Sequence, residues 1–161
     1  MAPLPAKYIL KDELVRVLTA DVETLERAQK SAVEAATHEE AKPENDKDTR
    51  ALEASYLARG HALRLEELRT GLAELTAWQP KDFRDDAAVA LGALVTTDED
   101  DVRHHFFVAP YGGGQKLAQG LVQVVTPRSP LGRALLGKRV DDECEVVVEG
   151  RKRELAITGV A

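Results

Sequence analysis

The sequence predicts an α+β protein in which a helical hairpin precedes a small β-rich domain. Apolar residues recur every three or four positions up to Pro80 and every second position beyond it. A polar segment rich in turn formers, residues 42–49, interrupts the first pattern. We therefore expect an antiparallel coiled-coil hairpin over residues 1–80, with its tip at 42–49, and a globular domain over residues 81–161.

The first helix is predicted from Lys7 to Ala41, a stretch without glycine or proline. Its apolar stripe consists of Leu14, Leu18, Val22, Leu25, Ala28, Ala32 and Ala36. The second helix ends before Pro80, and its less regular stripe consists of Leu52, Tyr56, Leu63, Leu68, Leu72 and Leu75. We expect the two stripes to meet as the seam of the hairpin, because the polar break lets the second helix fold back.

Beyond Pro80 the alternation of apolar residues predicts strands, because successive strand side chains point to opposite faces. The predicted strands are 87–91, 105–108, 121–125 and 144–148. A terminal antiparallel hairpin follows, with its turn at 149–151 and its second strand at 152–160. Between strands, the residues from Pro130 to Leu136 predict one short helix that ends at Gly137.

Composition narrows the classes of function. The formal charge of −6 argues against a protein that binds duplex nucleic acid, which requires a positive field. Cys144 is the only cysteine, so an intrachain disulfide and a cysteine-rich zinc site are excluded. The start of the sequence has no basic segment leading into an apolar one, and we expect a cytoplasmic monomer that does not contact membranes.

The segment from Val124 to Lys138 reads VVTPRSPLGRALLGK. It resembles the C-terminal domain of the bacterial Gre transcript-cleavage factors in its Ser-Pro entry to a short helix, its Arg-Ala-Leu core and its Leu-Gly-Lys exit. The helical hairpin in front of it matches the domain order of that family. The resemblance implies an FKBP-like domain that docks on the rim of the RNA polymerase secondary channel, while the coiled coil enters the channel.

The resemblance also implies roles for individual residues. Contacts with polymerase fall on the loop and helix formed by Arg128, Ser129, Pro130 and Arg133. The acidic tip residues Glu44, Asp46 and Asp48 assist the polymerase active centre. Asp46 and Asp48 hold a Mg²⁺ shared with the polymerase, near the 3′ end of the nascent RNA. The protein then stimulates hydrolysis of backtracked transcripts by polymerase and is not itself an enzyme.

Other interpretations stay open at this point. The tip lacks the Asp and Glu three residues apart that the family usually shows, and its acids equally suit the first turn of a helix. Arg128 stands where the family commonly has an acidic or amide residue. The alternative functions are a Gre-fold regulator of initiation or pausing that does not support cleavage, a peptidyl-prolyl isomerase, and an oligomer formed through the apolar stripe of the first helix.

Several further motifs have a structural interpretation. The arginines of the second helix, Arg50, Arg59, Arg64 and Arg69, form either a stripe that contacts RNA or ordinary ion pairs with nearby glutamates. His104 and His105 point to opposite faces of a strand, so they do not chelate one ion together. The segment 111–116 is predicted to be a turn, the acidic run 98–101 a hairpin loop, and Cys144 a buried filler.

Overall fold

The computed structural model describes residues 3–37 and 49–161. Within these residues the helices are α1 (Lys7–Thr37), α2 (Thr49–Ala77) and α3 (Pro130–Leu135). The strands are β1 (Leu94–Glu99), β2 (Val102–Val108), β3 (Lys116–Leu117), β4 (Val122–Val125), β5 (Glu143–Val148) and β6 (Arg151–Val160). The predicted α+β class, with two long helices before a sheet that carries one short helix, is confirmed.

The chain divides into two compact units. The first unit contains the described residues up to Val15 together with Glu74–Ala161, and therefore the whole sheet. The second contains the described residues of Arg16–Ala73, that is, most of the two long helices. The domain boundary proposed after residue 80 stays a prediction. In the ranges 3–37 and 49–161, no helix is long and apolar enough to cross a membrane.

The two long helices run antiparallel. Lys11 Nζ donates to the Thr76 carbonyl at 3.0 Å, and Arg69 Nη2 lies 2.6 Å from Glu26 Oε1. As α1 advances, its partners on α2 therefore recede along the chain. The buried apolar positions of α1 are Leu10, one turn before the predicted stripe, and four members of that stripe: Leu14, Leu18, Val22 and Ala32.

The predicted seam of α2 is partly wrong. Leu52, Tyr56 and Leu63 are 54%, 62% and 60% exposed. Most of the buried or half-buried positions are instead spaced by four and three residues along one face, with Gly71 buried beside them: Ala54, Ala58, His61, Leu65, Leu68, Leu72 and Leu75. Small and polar residues occupy the first half of this seam, so the largest apolar residues there do not mark the buried face.

The six strands form one sheet in the order β3-β4-β2-β1-β6-β5. Neighbouring strands are antiparallel except β2 and β4, which are parallel, with His105 beside Val122 and Val108 beside Val125. A parallel pair needs a long crossover connection, and here the chain between β2 and β4 supplies it and also contributes β3. The sequence predicted the strands near β2, β4, β5 and β6, but it predicted neither β1 nor β3, nor this parallel pairing.

The sheet is covered on both faces within the first unit. Phe106 lies in a core with Val95, Leu131 and Leu135, so α3 packs on that face. The next residue, Phe107, points to the other face, where its ring centroid lies 5.8 Å from that of Trp78. Cys144 is buried in the first core, as predicted, and burial raises the pKa of its thiol. The alternation in β2 thus separates two apolar layers.

The predicted strand at 87–91 is wrong, since regular pairing begins only at Leu94. Val89 exchanges single hydrogen bonds with the segment after α3, donating to the Lys138 carbonyl at 2.7 Å and accepting from Gly137 N at 2.8 Å. Gly92, at φ +94°, then turns the chain into β1. Of this apolar run only Val89 is buried, held by its bonds to the segment after α3, and the run does not join the sheet.

The predicted hairpin loop over the acidic run 98–101 is correct only for its second half. Asp98 and Glu99 belong to β1, where Glu99 pairs with Val102 across the hairpin. Asp100 and Asp101 alone form the connection, with φ of 49° and 65°. Two residues with positive φ are typical of a type I′ hairpin turn, for which aspartate is suited. The predicted turn at 149–151 is confirmed at Glu149 and Gly150, with φ of 53° and 77°, while Arg151 already belongs to β6.

Candidate functional site

The residues predicted to contact a partner lie where β4 leads into α3. Pro130 occupies the first turn of α3, where a proline costs nothing because the N–H it lacks would have no helical partner. Ser129 is the N-cap, with an extended backbone at φ −69° and ψ 154°. The short helix predicted from Pro130 is therefore confirmed, ending at Leu135 with Leu136 as its C-cap.

The Ser129 hydroxyl is used twice inside the turn. Its oxygen accepts a hydrogen bond from Gly132 N at 3.0 Å, and it donates to the Thr126 carbonyl at 2.9 Å. The Ser129 amide donates to the same carbonyl at 3.1 Å. These bonds fix the angle at which the chain leaves β4 and enters the helix. Within the turn, Ser129 is a structural residue first.

Gly132 allows the helix to lie directly on this turn. A Cβ built on Gly132 would stand 1.8 Å from the Thr126 carbonyl oxygen and 2.9 Å from Ser129 Oγ. Both distances are far below van der Waals contact, and the first involves backbone. In the Gly-Arg pair of the motif, Gly132 must therefore lack a side chain, while the side chain of Arg133 is exposed.

The exposed side chains of the segment are Arg128, Pro130 and Arg133. Neither Arg128 nor Arg133 forms an ion pair with another residue of 3–37 or 49–161. Leu131 and Leu135 point inward and anchor the helix in the core. The segment thus presents two guanidinium groups and a proline ring on a rigid, buried base. We name these three residues the α3 surface.

A second set of contacts, which the sequence reasoning missed, holds the first helix to the sheet domain. Lys7 Nζ donates to the carbonyls of Lys81, Gly92 and Ala161, the latter two at 3.0 Å. The ammonium also lies 4.5 Å from the centroid of the Phe83 ring. Burial lowers the pKa of Lys7. This lysine therefore ties three separate segments together within the first unit.

Two further residues of α1 contribute to the same attachment. The two Glu13 carboxylate oxygens each accept from Ala118 N at 3.1 Å. A Cβ at Gly112 would lie 2.8 Å from Leu14 Cδ1, so the glycine of the 111–116 turn makes room for that leucine. The only sequence signal for this attachment is that charged residues interrupt the stripe near the start of α1.

The charged residues at the β1–β2 hairpin form ion pairs. Arg153 Nη2 lies 2.6 Å from Glu99 Oε2, and hydrogen bonding to Arg153 holds the pKa of Glu99 below its usual range. His104 Nε2 lies 3.4 Å from Glu99 Oε2. His105, on the opposite face, shares a 3.0 Å hydrogen bond with Thr96 Oγ1 through Nδ1. The prediction that the two histidines have separate environments is confirmed.

The arginines of α2 support the ion-pair interpretation where partners are seen. Arg64 Nη1 lies 3.4 Å from Glu67 Oε2, and Arg69 pairs with Glu26 of α1. All four of these side chains are more than 40% exposed, so each pair contributes at most about 1 kcal/mol. Their main effect is to orient side chains along the hairpin.

The acidic tip predicted to assist catalysis, Glu44, Asp46 and Asp48, lies outside the described residues. The structure therefore offers no geometry for a Mg²⁺ site at Asp46 and Asp48, and that site stays a prediction. Among the residues that are described, no group of three or more His, Cys, Asp or Glu is placed to hold a metal ion.

Comparison with known proteins finds similarity to the family that the α3 segment resembles. Residues 85–161 match the family model described as transcription elongation factor, GreA/GreB, C-terminal. The chain is 40% identical over 73 residues to the transcription elongation factor GreA of Sphingopyxis alaskensis. That alignment covers 45% of this chain, and the chain spans 44% of the length of that relative.

Solved structures with a similar arrangement include GreA factor homolog 1 of Thermus thermophilus, with a TM-score of 0.41, 18% identity, and coverage of 91% of this chain and 94% of that one. Another is a GreA/GreB elongation factor of Nitrosomonas europaea, with a TM-score of 0.39 and 18% identity over 62% of this chain and 89% of that one. The similarity to the Gre factors therefore rests on the match over residues 85–161.

Proposed function

We propose that this chain, whose residues 85–161 match the C-terminal model of the GreA/GreB transcription elongation factors, binds bacterial RNA polymerase at the secondary channel. The observation that supports the proposal most directly is the α3 surface. It combines a fixed turn with two exposed arginines, and arginine is enriched at protein interfaces because its planar head forms several hydrogen bonds at once.

The proposal makes the α3 surface the docking contact. Reversing charge with Arg128→Glu and Arg133→Glu should weaken binding to polymerase at least tenfold, because acceptors facing the guanidinium groups would then meet like charge. The measurement is the affinity of the full chain for core polymerase. Arg84→Glu is the matched control, because Arg84 is exposed and makes only a loose 3.8 Å contact with Asp86. Equal weakening by the control would contradict this docking site.

We propose further that the tip acids act on the polymerase active centre and that this chain has no active site of its own. Carboxylate oxygens at Asp46 and Asp48, with Glu44 beside them, are ligands suited to a Mg²⁺ ion that polymerase shares, and that ion would activate water for hydrolysis of the transcript. The tip acids would thus supply ligands, while polymerase supplies the remainder of the site.

The test is transcript cleavage by a backtracked polymerase. Asp46→Ala combined with Asp48→Ala should reduce the cleavage rate by about 100-fold or more at unchanged affinity, since removed metal ligands affect the chemical step. Asp85→Ala combined with Asp86→Ala removes the same charge from exposed positions and should leave the rate unchanged. Cleavage at the wild-type rate by the tip variant would refute the metal role.

A second candidate function rests on the tip sequence, which lacks the acidic spacing usual in the family. In this alternative the chain occupies the channel and alters initiation or pausing without cleavage. Wild-type protein that binds polymerase but does not stimulate cleavage at any Mg²⁺ concentration would favour it. Both candidate functions require docking through the α3 surface. The charge-reversal experiment on Arg128 and Arg133 therefore tests docking whether or not the chain stimulates cleavage.

A further inference from the structure

Two buried polar atoms in the seam between the long helices have no hydrogen-bond partner. They are Gln29 Oε1 of α1 and His61 Nδ1 of α2. Elsewhere in residues 3–37 and 49–161, the same is true only of Thr97 Oγ1 in the sheet. A buried polar group without a partner destabilises the folded state, because it has lost its bonds to water and gained none. The two atoms therefore mark a weak place in the seam.

The register of the helices places Gln29 and His61 at the same level. Lys11 bonds to the Thr76 carbonyl, and Glu26 pairs with Arg69. Seam positions on both helices are spaced by alternating steps of four and three residues, as in a coiled coil. The pairing of seam positions that agrees with both contacts gives successive layers of Leu18 with Leu72, Val22 with Leu68, Leu25 with Leu65, Gln29 with His61, and Ala32 with Ala58. We call the fourth of these the polar layer.

The polar layer separates a well-packed part of the seam from a poorly packed one. In the three layers before it, Leu18, Val22, Leu65 and Leu68 are at most 7% exposed. In the layer after it, Ala32 and Ala58 contribute one methyl group each. Burial of a leucine side chain stabilises a helix pair roughly two to four times as much as burial of a methyl group. Apolar packing therefore weakens abruptly at the polar layer.

Gly60 weakens α2 at the same level. It lies inside the helix, next to His61, and a Cβ built on it would meet nothing within 4 Å. Packing therefore does not require a glycine at this position. A glycine inside a helix lowers the stability of the helix and leaves its backbone more freedom than any other residue. A weak backbone position and an unsatisfied side-chain layer thus coincide.

We propose that the polar layer and Gly60 form a hinge, beyond which the two helices open independently of the remainder of the seam. We call residues 30–37 and 49–60 the outer segment, and residues 16–28 and 62–73 the inner segment. When the outer segment opens, Gln29 and His61 regain hydrogen bonds with water, and the alanine layer exposes little apolar surface. Opening of the outer segment therefore costs less than unfolding of the inner one.

The hinge affects the function proposed above through the direction of the outer segment. With the α3 surface docked on polymerase, the outer segment can still turn at the polar layer within the channel. This consequence rests on the proposed binding of polymerase, whereas the hinge is a property of the free chain. Experiments on the free chain therefore test the hinge separately from docking.

Hydrogen exchange of the full chain without polymerase, measured at single amides by NMR, tests the hinge. After correction for intrinsic rates, amides of the outer segment should exchange about 100-fold faster than those of the inner segment. Their exchange should respond little to low concentrations of denaturant, because the opening exposes little surface. Protection should change in a step at Gln29 and His61. Equal protection on both sides, or the smooth slope that fraying from the helix ends produces, would overturn the proposal.

Replacing the polar layer tests the cause of the opening. Gln29→Leu combined with His61→Leu continues the leucine layers, so amides 30–33 and 57–60 should exchange at least about tenfold more slowly. Gly60→Ala should slow the same amides about fivefold through helix propensity alone. The matched control, Lys30→Leu combined with Ala62→Leu, adds leucines at neighbouring exposed positions and should change exchange by less than about twofold. Faster or unchanged exchange in the first variant, or equal slowing by the control, would contradict the hinge.

Discussion

At the residue scale, the turn before α3 shows how a short motif encodes a shape. Ser129 supplies a hydroxyl that bonds both to Thr126 and to Gly132, and Gly132 supplies the missing Cβ. The Ser-Pro entry and the position of the helix were predicted from the sequence. The need for glycine at position 132 was not predicted, because the clash involves the carbonyl of Thr126, six positions earlier.

Gly132→Ala should destabilise the first unit by about 2 kcal/mol or more, because the new methyl group meets a backbone oxygen that cannot move without opening the turn. Denaturant unfolding of the full chain measures the change. Gly60→Ala is the contrasting variant. Its Cβ meets nothing within 4 Å inside α2, so it should stabilise the helix by about 1 kcal/mol. A neutral Gly132→Ala would contradict the close contact.

His105 should make stability depend on pH. Burial is the main cause that lowers the pKa of His105 in the folded chain, and repulsion from Arg103 and His104 lowers it further. The unfolded chain therefore binds the proton more readily, and stability falls as pH drops through the ordinary histidine value of about 6.5. His105→Gln should remove this part of the loss between pH 7 and pH 5.5, as measured by thermal unfolding. An identical pH profile for both proteins would refute the assignment.

At the scale of elements, the two long helices were predicted from their period and their polar break, but the face of α2 was misassigned. The prediction chose the largest apolar residues, Leu52, Tyr56 and Leu63, whereas the half-buried positions Ala54, Ala58 and His61 have little apolar surface. A helix with apolar residues on two faces gives a weak periodic signal, and only its neighbour decides which face is buried.

Leu63 and Leu65 lie on opposite faces of α2, so substituting each one tests which face is buried. Leu65→Ala should reduce stability by about 2–4 kcal/mol, because Leu65 is 6% exposed and its removal leaves a cavity in the seam. Leu63→Ala should change stability by less than about 0.5 kcal/mol, since that side chain is mostly in water. Thermal unfolding followed by helical circular dichroism measures both. Equal losses would show that the seam is misplaced.

At the scale of the whole molecule, the sequence indicated the class, the two long helices ahead of the sheet and the terminal hairpin, but it missed β1 and β3. It did not indicate the sheet order, because the parallel pairing of β2 with β4 and the position of β6 depend on contacts far apart in the chain. Similarly, the α3 surface was predicted from a continuous motif, while the anchoring role of Lys7 joins residues up to 154 positions apart. Features encoded by short stretches of sequence were predicted, whereas contacts between residues far apart in the chain were not.

The place of β6 in the sheet has a consequence for synthesis of the protein. β6 follows the other five strands in the chain, yet it lies between β1 and β5. While the nascent chain emerges from the ribosome, β1 and β2 can pair early, but one edge of β1 stays open and β5 has no neighbour. The sheet domain therefore cannot close until β6 has left the exit tunnel, and until then β1 and β5 each lack the strand that lies between them.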